Sequence, residues 1–286
     1  MFRAVRPLVR RADLSICHVE TPVGAGAVSG YPIFNAPAEL APAIAWTGWD
    51  ACTTASNHSV DRGQAGIRST LWALDRSGVR HTGTARSWRE ARRTLLLPVG
   101  GIEIALLSYT HGTNGLPVTP SWSVNRVDRR KIARDARRAR RRGADLVIAA
   151  FHWGVEYVHG PTAAQRALAR FLLRRRIVDA IVGQHAHVVQ PIRRIAGRFV
   201  VYGEGNLLSA QSAACCPPET QEGLIAVLRV RVERERARVV RADYAPIRVR
   251  RPDFLVERVG RASAAYLRTV RYAGRGRFVR PLPSTR

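Results

Sequence analysis

Lysine is nearly absent from these 286 residues: Lys131 stands alone, and every other basic side chain is arginine. Acid is scarce too, with 21 aspartates and glutamates against 47 basic residues, leaving a formal charge of +26. GC-rich coding explains arginine over lysine as readily as function does. The charge itself reads either as a solvated basic surface or as a face for a polyanion: an anionic polymer, an anionic membrane surface or nucleic acid. No basic segment is interleaved with aromatics as in single-strand binders, so nucleic acid ranks last. No apolar run approaches the length of a membrane span. The N-terminus, Met1 to Arg11, is basic without a long apolar core, a poor signal peptide. Localisation therefore stays open. The cysteines, Cys17, Cys52, Cys215 and Cys216, form no CxxC pair, which argues against a thiolate zinc site. Cys17 and Cys52 each end an apolar run and read as buried small hydrophobes. Cys215-Cys216 lies in a Ser/Ala/Pro loop and could oxidise. No internal repeat is visible.

What is present is enough apolar residue, 46%, for a globular core. The organising stretch runs from Asp145 to Ser209. Three short Val- and Ile-rich runs, 145–151, 179–183 and 199–202, read as buried strands, with a helix over 163–176 between the first two. Strand, helix, strand implies a parallel pair with ligands at the carboxyl ends. His152 follows the first strand. His185 and His187 follow the second and share a face of an extended segment. Three imidazoles placed so can hold a metal.

Elsewhere, Ala12 to Cys17 reads as a strand delivering Glu20, and Val23 to Pro42 as a loop. Gly63 to Ser77 reads as a helix with Ile67, Leu71 and Leu74 on one face. A strand at 79–83, a helix at 87–92 and a hairpin about Gly100-Gly101 follow. His111 to Ser123 reads as a loop at the rim of the crevice. Arg129 to Arg142 reads as an exposed helix with a stripe of Ile132, Ala136 and Ala139. Leu224–Val232 and Arg238–Tyr244 form a second hairpin, and 262–269 a short helix. Residues 1–250 read as one domain and 251–286 as a basic extension.

Strand ends thus offer Glu20, Asn57, His58, His152, His185 and His187. Carboxylate, amide oxygen and imidazole together suit Mn, Fe or Zn better than Ca, and a carboxylate can bridge two ions. His81, His111 and His159 have no motif around them. Trp153 and Tyr157 read as core or crevice wall, Glu156 as a salt-bridge partner or a site group, and Asp61 as a helix cap or a catalytic group.

The ordered segments Val19-Glu20-Thr21-Pro22, Ser56-Asn57-His58-Ser59-Val60-Asp61, His152-Trp153-Gly154-Val155-Glu156-Tyr157, Gly183-Gln184-His185-Ala186-His187 and Tyr202-Gly203-Glu204-Gly205-Asn206 resemble those of the CapA family. These are poly-γ-glutamate capsule biosynthesis proteins with a calcineurin-like metallophosphatase fold. The resemblance spans about Ala12 to Pro246. It implies an α/β, two-sheet sandwich flanked by helices, and a divalent cation. By it, Glu20 takes the bridging position, Asn57, His152 and His185 complete one metal site, and His187 belongs to the other. His58 takes the place of the acid for a leaving group, and Glu156, Gln165 and Asn206 are candidates for substrate contact. The family opens with a Gly-Asp strand that nothing before Ala12 matches, so that strand is read as missing, through the start or a truncation. One metal site looks complete; the other has only Glu20 and His187. His18 replaces the family's usual Asn and Glu204 its usual Leu. The resemblance implies a metal-dependent hydrolase of phosphoester or amide bonds, acting on an anionic polymer such as poly-γ-glutamate. The rival is a non-catalytic polyanion-binding assembly protein. The family is usually membrane-anchored or exported.

Overall fold

The computed structural model describes residues 1–212, 214–233 and 236–283. The chain divides into two units. One comprises Arg6–Ala144 with Ala149–His152; the other comprises Met1–Val5, Asp145–Ile148 and the chain from Trp153 onward.

The first unit opens with a short helix, α1 (Arg6–Val9). Its parallel sheet has the order β1 (Ile16–His18), β2 (Ala51–Thr53), β3 (Arg80–Thr82), with Ile16, Ala51 and Arg80 in register. Between β1 and β2 lies α2 (Leu40–Thr47), in a stretch expected to be partly loop. Pro42 sits in its first turn, where no backbone donor is lost, and Gly48 ends it in the left-handed conformation (φ 107°). α3 (Gly63–Arg76) connects β2 to β3 and buries Ile67, Leu71 and Leu74, the stripe its periodicity predicts. After β3 come α4 (Trp88–Ala91), β4 (Leu95–Val99) and β5 (Ile102–Thr110). β4 and β5 pair antiparallel about Gly100 and Gly101, both with positive φ, as a two-residue hairpin requires. α5 (Arg129–Arg141) is capped by Asp128 and buries Ile132, Ala136 and Ala139. It also buries Asp135, which accepts from the Tyr109 hydroxyl at 2.9 Å.

β6 (Leu146–Trp153) is buried at every position. That is the continuous apolar run of a strand covered on both faces.

In the second unit, α6 (Ala163–Arg174) leads to β7 (Ala180–His185). β8 (Ile192–Ile195) and β9 (Arg198–Val201) follow; β9 lies between β7 and β8, parallel to the first and antiparallel to the second. β8 was not foreseen. A second sheet has the order β10 (Glu222–Glu233), β11 (Arg236–Arg250), β12 (Leu255–Arg258), all antiparallel. α7 (Ala264–Ala273) follows, and the Tyr244 hydroxyl of β11 donates to the Gly274 carbonyl at 2.9 Å. Residues 255–258 are therefore a strand of this sheet.

Cys17 and Cys52 are neighbours in the β1–β2 register and form a disulfide, and Cys215 is bonded to Cys216. The first pair is thus buried as expected, and bonded to each other. Its partner was illegible because register, not sequence spacing, brings the two together.

Candidate metal centre

The first unit gathers polar side chains where its parallel strands end. Glu20 follows β1; Asn57 and His58 follow β2. Ser56 joins the two segments: its hydroxyl donates to the Glu20 carbonyl and accepts from the His58 amide. β6 brings in His152, 1% exposed. His152 Nε2 lies 2.7 Å from Asn57 Oδ1 and 3.5 Å from Glu20 Oε1. Asn57 Nδ2 donates to Asn114 Oδ1 at 3.1 Å, which turns the Asn57 oxygen toward His152.

His152 Nδ1 lies 3.0 Å from His18 Nε2, and His18 Nδ1 lies 2.9 Å from Thr53 Oγ1. This chain runs in either direction. With its proton on Nε2, His152 donates to Asn57. With its proton on Nδ1, it donates to His18, which donates to Thr53, and Nε2 turns a lone pair toward two oxygens. A cation satisfies that second arrangement and a hydrogen bond does not. Donor atoms about 2.1 Å from one ion, at tetrahedral or octahedral angles, lie about 3.0–3.4 Å apart. The 2.7 and 3.5 Å separations flank that range, and the residues present fit a divalent ion.

His58 is held from one side. Its Nδ1 lies 2.8 Å from Asp61 Oδ2, which also accepts from the Phe34 amide at 2.8 Å. The edge of Phe34 packs on the imidazole, and Asn114 Nδ2 lies 3.4 Å from His58 Nε2. Asp61 is not the cap of α3; that position is Arg62, without a side-chain bond. Asn114, which links Asn57 to His58, was missed. Its signal was the Asn114-Gly115 pair, both at positive φ.

In the second unit His185 ends β7, and His187 lies two residues on. Both have positive φ, 98° and 57°. Such backbone is strained for residues other than glycine and persists where the surroundings hold it. His187 Nδ1 lies 2.9 Å from Asn206 Oδ1. Asn206 Nδ2 donates to Thr220 O and Gln211 Oε1, which fixes the oxygen toward His187. His187 thus carries its proton on Nδ1 and its lone pair on Nε2, and the Tyr157 ring stacks on it. Glu204 accepts from Gln184 Nε2 and the Ala226 amide. Burial pushes its carboxyl up, opposed by those two donors.

Gln165 departs from the expectation of substrate contact. It is buried and completes the capping box of α6, accepting from Thr162 N, while its Nε2 donates to Gln190 Oε1 at 2.9 Å. Asn206 positions His187. Glu156 sits partly buried in the turn after β6, with no ion pair among the described residues.

The family profile of the bacterial capsule synthesis protein PGA_cap matches residues 1–211. The chain belongs to the PGA_cap family. Relatives include the capsule biosynthesis protein CapA of Bacillus anthracis, 27% identical over 74% of this chain and 54% of that one. The PGA biosynthesis protein CapA of Bacillus subtilis is 30% identical over 55% of this chain and 42% of that one. The PGA_cap chain thus spans about half the length of these relatives. Among solved structures, a putative 5′-nucleotidase of Staphylococcus aureus superposes with a TM-score of 0.52 at 14% identity, covering 73% of this chain and 40% of that one. The NAD nucleotidase NadN of Haemophilus influenzae gives 0.52 at 13%, covering 98% and 50%. At those identities they show the fold alone: mixed α/β, with several sheets, of the metallophosphoesterase kind.

Proposed function

We propose that this PGA_cap chain is a metal-dependent hydrolase of phosphoester or amide bonds, acting on an anionic polymer of the polyglutamate kind in capsule synthesis. The observation that carries it is His152 Nε2 set between Asn57 Oδ1 and Glu20 Oε1, with His18 and Thr53 behind it. The names of the CapA relatives supply the polymer. Glu20, Asn57 and His152 are the donors proposed for an ion; the family resemblance adds His185 to that set and pairs Glu20 with His187 for a second. When bound, the ion lowers the pKa of water and draws charge from a phosphoryl or acyl oxygen.

The chain's own residues do the rest. Glu20, Asn57 and His152 fix the donor atoms, and His18 sets the tautomer of His152. Asp61 holds His58 Nδ1; from the doubly protonated ring, Nε2–H is the proton given to a leaving oxygen or nitrogen, which leaves the neutral imidazole bonded to Asp61. Glu156 faces substrate. The test is hydrolysis of an aryl phosphate by purified protein before and after EDTA. Activity that EDTA removes and Mn or Zn restores supports the reading; a rate indifferent to both overturns it. A second reading, a polyanion-binding assembly protein without catalysis, is favoured by the +26 charge. It requires polyglutamate affinity in a chain that shows no hydrolysis.

A further inference from the structure

The first unit carries a groove of about 610 Å³ built by other elements than those of the metal donors. It runs along α4, the segment after it and the end of α5. Its lining holds six arginines, Arg86, Arg89, Arg92, Arg93, Arg138 and Arg142, against one acid, Glu90, with Trp88 beside them. Arg86 is neutralised, holding both Glu90 and Asp75, and Arg138 lies 3.4 Å from Asp135. Arg89, Arg92, Arg93 and Arg142 are exposed and have no carboxylate partner among the described residues. Four like charges along one groove repel one another unless an anion lies among them.

We infer that this groove docks a stretch of an anionic polycarboxylate chain. The inference rests on the proposed role in polyglutamate synthesis and names the surface that would hold the polymer. The choice of a carboxylate chain over nucleic acid rests on the missing ring faces and on the shape of the lining; the fork geometry, which phosphate satisfies as well, shows that a carboxylate fits. Guanidinium forks match carboxylates two bonds at a time, and Arg86 already grips Glu90 in this way: its Nε and Nη2 reach the two sides of one carboxylate. Trp88 is the groove's one aromatic, and the Arg92 guanidinium lies over its ring, 4.5 Å from the centroid. No ladder of ring faces is left for bases to stack on. The lining is also arginine on both walls, from α4 and from α5, so a thin chain with a carboxylate on each residue can be gripped from two sides.

The experiment titrates fluorescent poly-γ-glutamate into EDTA-treated full-length protein at fixed low salt, so that metal chemistry plays no part. Arg92→Glu/Arg142→Glu is compared with Arg170→Glu/Arg174→Glu, an equal charge change at exposed positions of α6. The groove pair is expected to raise Kd tenfold or more and the α6 pair by less than threefold. In unmutated protein, bound polymer should shield Arg89, Arg92, Arg93 and Arg142 from butanedione more than Arg170 and Arg174, which keeps the test alive should a variant misfold. Equal weakening by both pairs, or equal shielding, overturns the inference in favour of diffuse attraction. Tighter binding of a charge-matched single-stranded DNA overturns the choice of carboxylate. Failure of the hydrolase reading shows instead in the metal-dependent assay, which this titration does not touch.

Discussion

Gly183 lies in β7 two residues before His185, and its neighbours leave no room for a side chain. A Cβ there would come within 1.9 Å of the Tyr202 carbonyl and 2.4 Å of Trp153 Nε1, two atoms that hydrogen-bond each other. Gly183→Ala is expected to lower stability by about 3 kcal/mol, read by urea unfolding; an unchanged midpoint would contradict the packing. His58→Gln is expected to slow aryl phosphate hydrolysis about 100- to 1,000-fold while leaving bound metal unchanged, because His58 is assigned to the leaving group. Loss of metal in that variant would move His58 into the ligand set. Glu20, Asn57, His58 and His152 could be named as candidates because they sit in ordered motifs at strand ends. The supports were not. His18 meets His152 across 134 positions of sequence, and which nitrogen faces which partner depends on register and rotamer. That the Gln165 amide closes the first turn of α6 was not legible either.

At the scale of elements, α4 and α6 are fixed at their starts by side chains. Thr162 and Gln165 exchange bonds at the first turn of α6. Thr162→Ala should cost about 1 kcal/mol of stability, visible as a lowered Tm; no change would mean that packing alone holds the helix. Arg86 ties α4 to the end of α3 through Glu90 and Asp75. Burial, the largest single influence, would raise both carboxyls, but the hydrogen bonds and charge of Arg86, joined by His81, together outweigh it and hold both below their ordinary values. Their folded pKa values are depressed, so this stabilisation is present above the ordinary carboxylate range and lost as pH falls through the depressed values. Arg86→Ala should therefore cost about 1 kcal/mol near neutrality, the half-exposed Asp75 being partly screened. The difference from wild type should fade near pH 3. A difference independent of pH would contradict the ion-pair account. The elements missed in the sequence share one trait, weak local patterning. β8 has only four residues with two exposed arginines between its isoleucines. β12 lies in a charged segment and is made by pairing with β11. α2 has a proline in its first turn. The long, periodic α3 and the apolar run of β6 that leads to His152 were read directly.

Across the whole molecule the governing quantity is positive charge, +26 over 286 residues. Attraction to a polyanion should weaken steeply with salt, whereas retention of the proposed ion, held by direct ligand bonds at the buried His152, should not. The fold class was legible because the motifs come in order at strand ends. The division into two units and the antiparallel sheet reaching residue 258 were not, since both arise from contacts distant in sequence. No helix of the described residues is long and apolar enough to cross a membrane. The central proposal is that Glu20, Asn57 and His152 hold a divalent ion. The direct measurement is the metal content of the purified protein by inductively coupled plasma mass spectrometry, after dialysis against Mn or Zn. The account predicts at least one ion per chain in wild type and a loss of that ion in His152→Ala. No stoichiometric ion in wild type, or the same content in the variant, would contradict it.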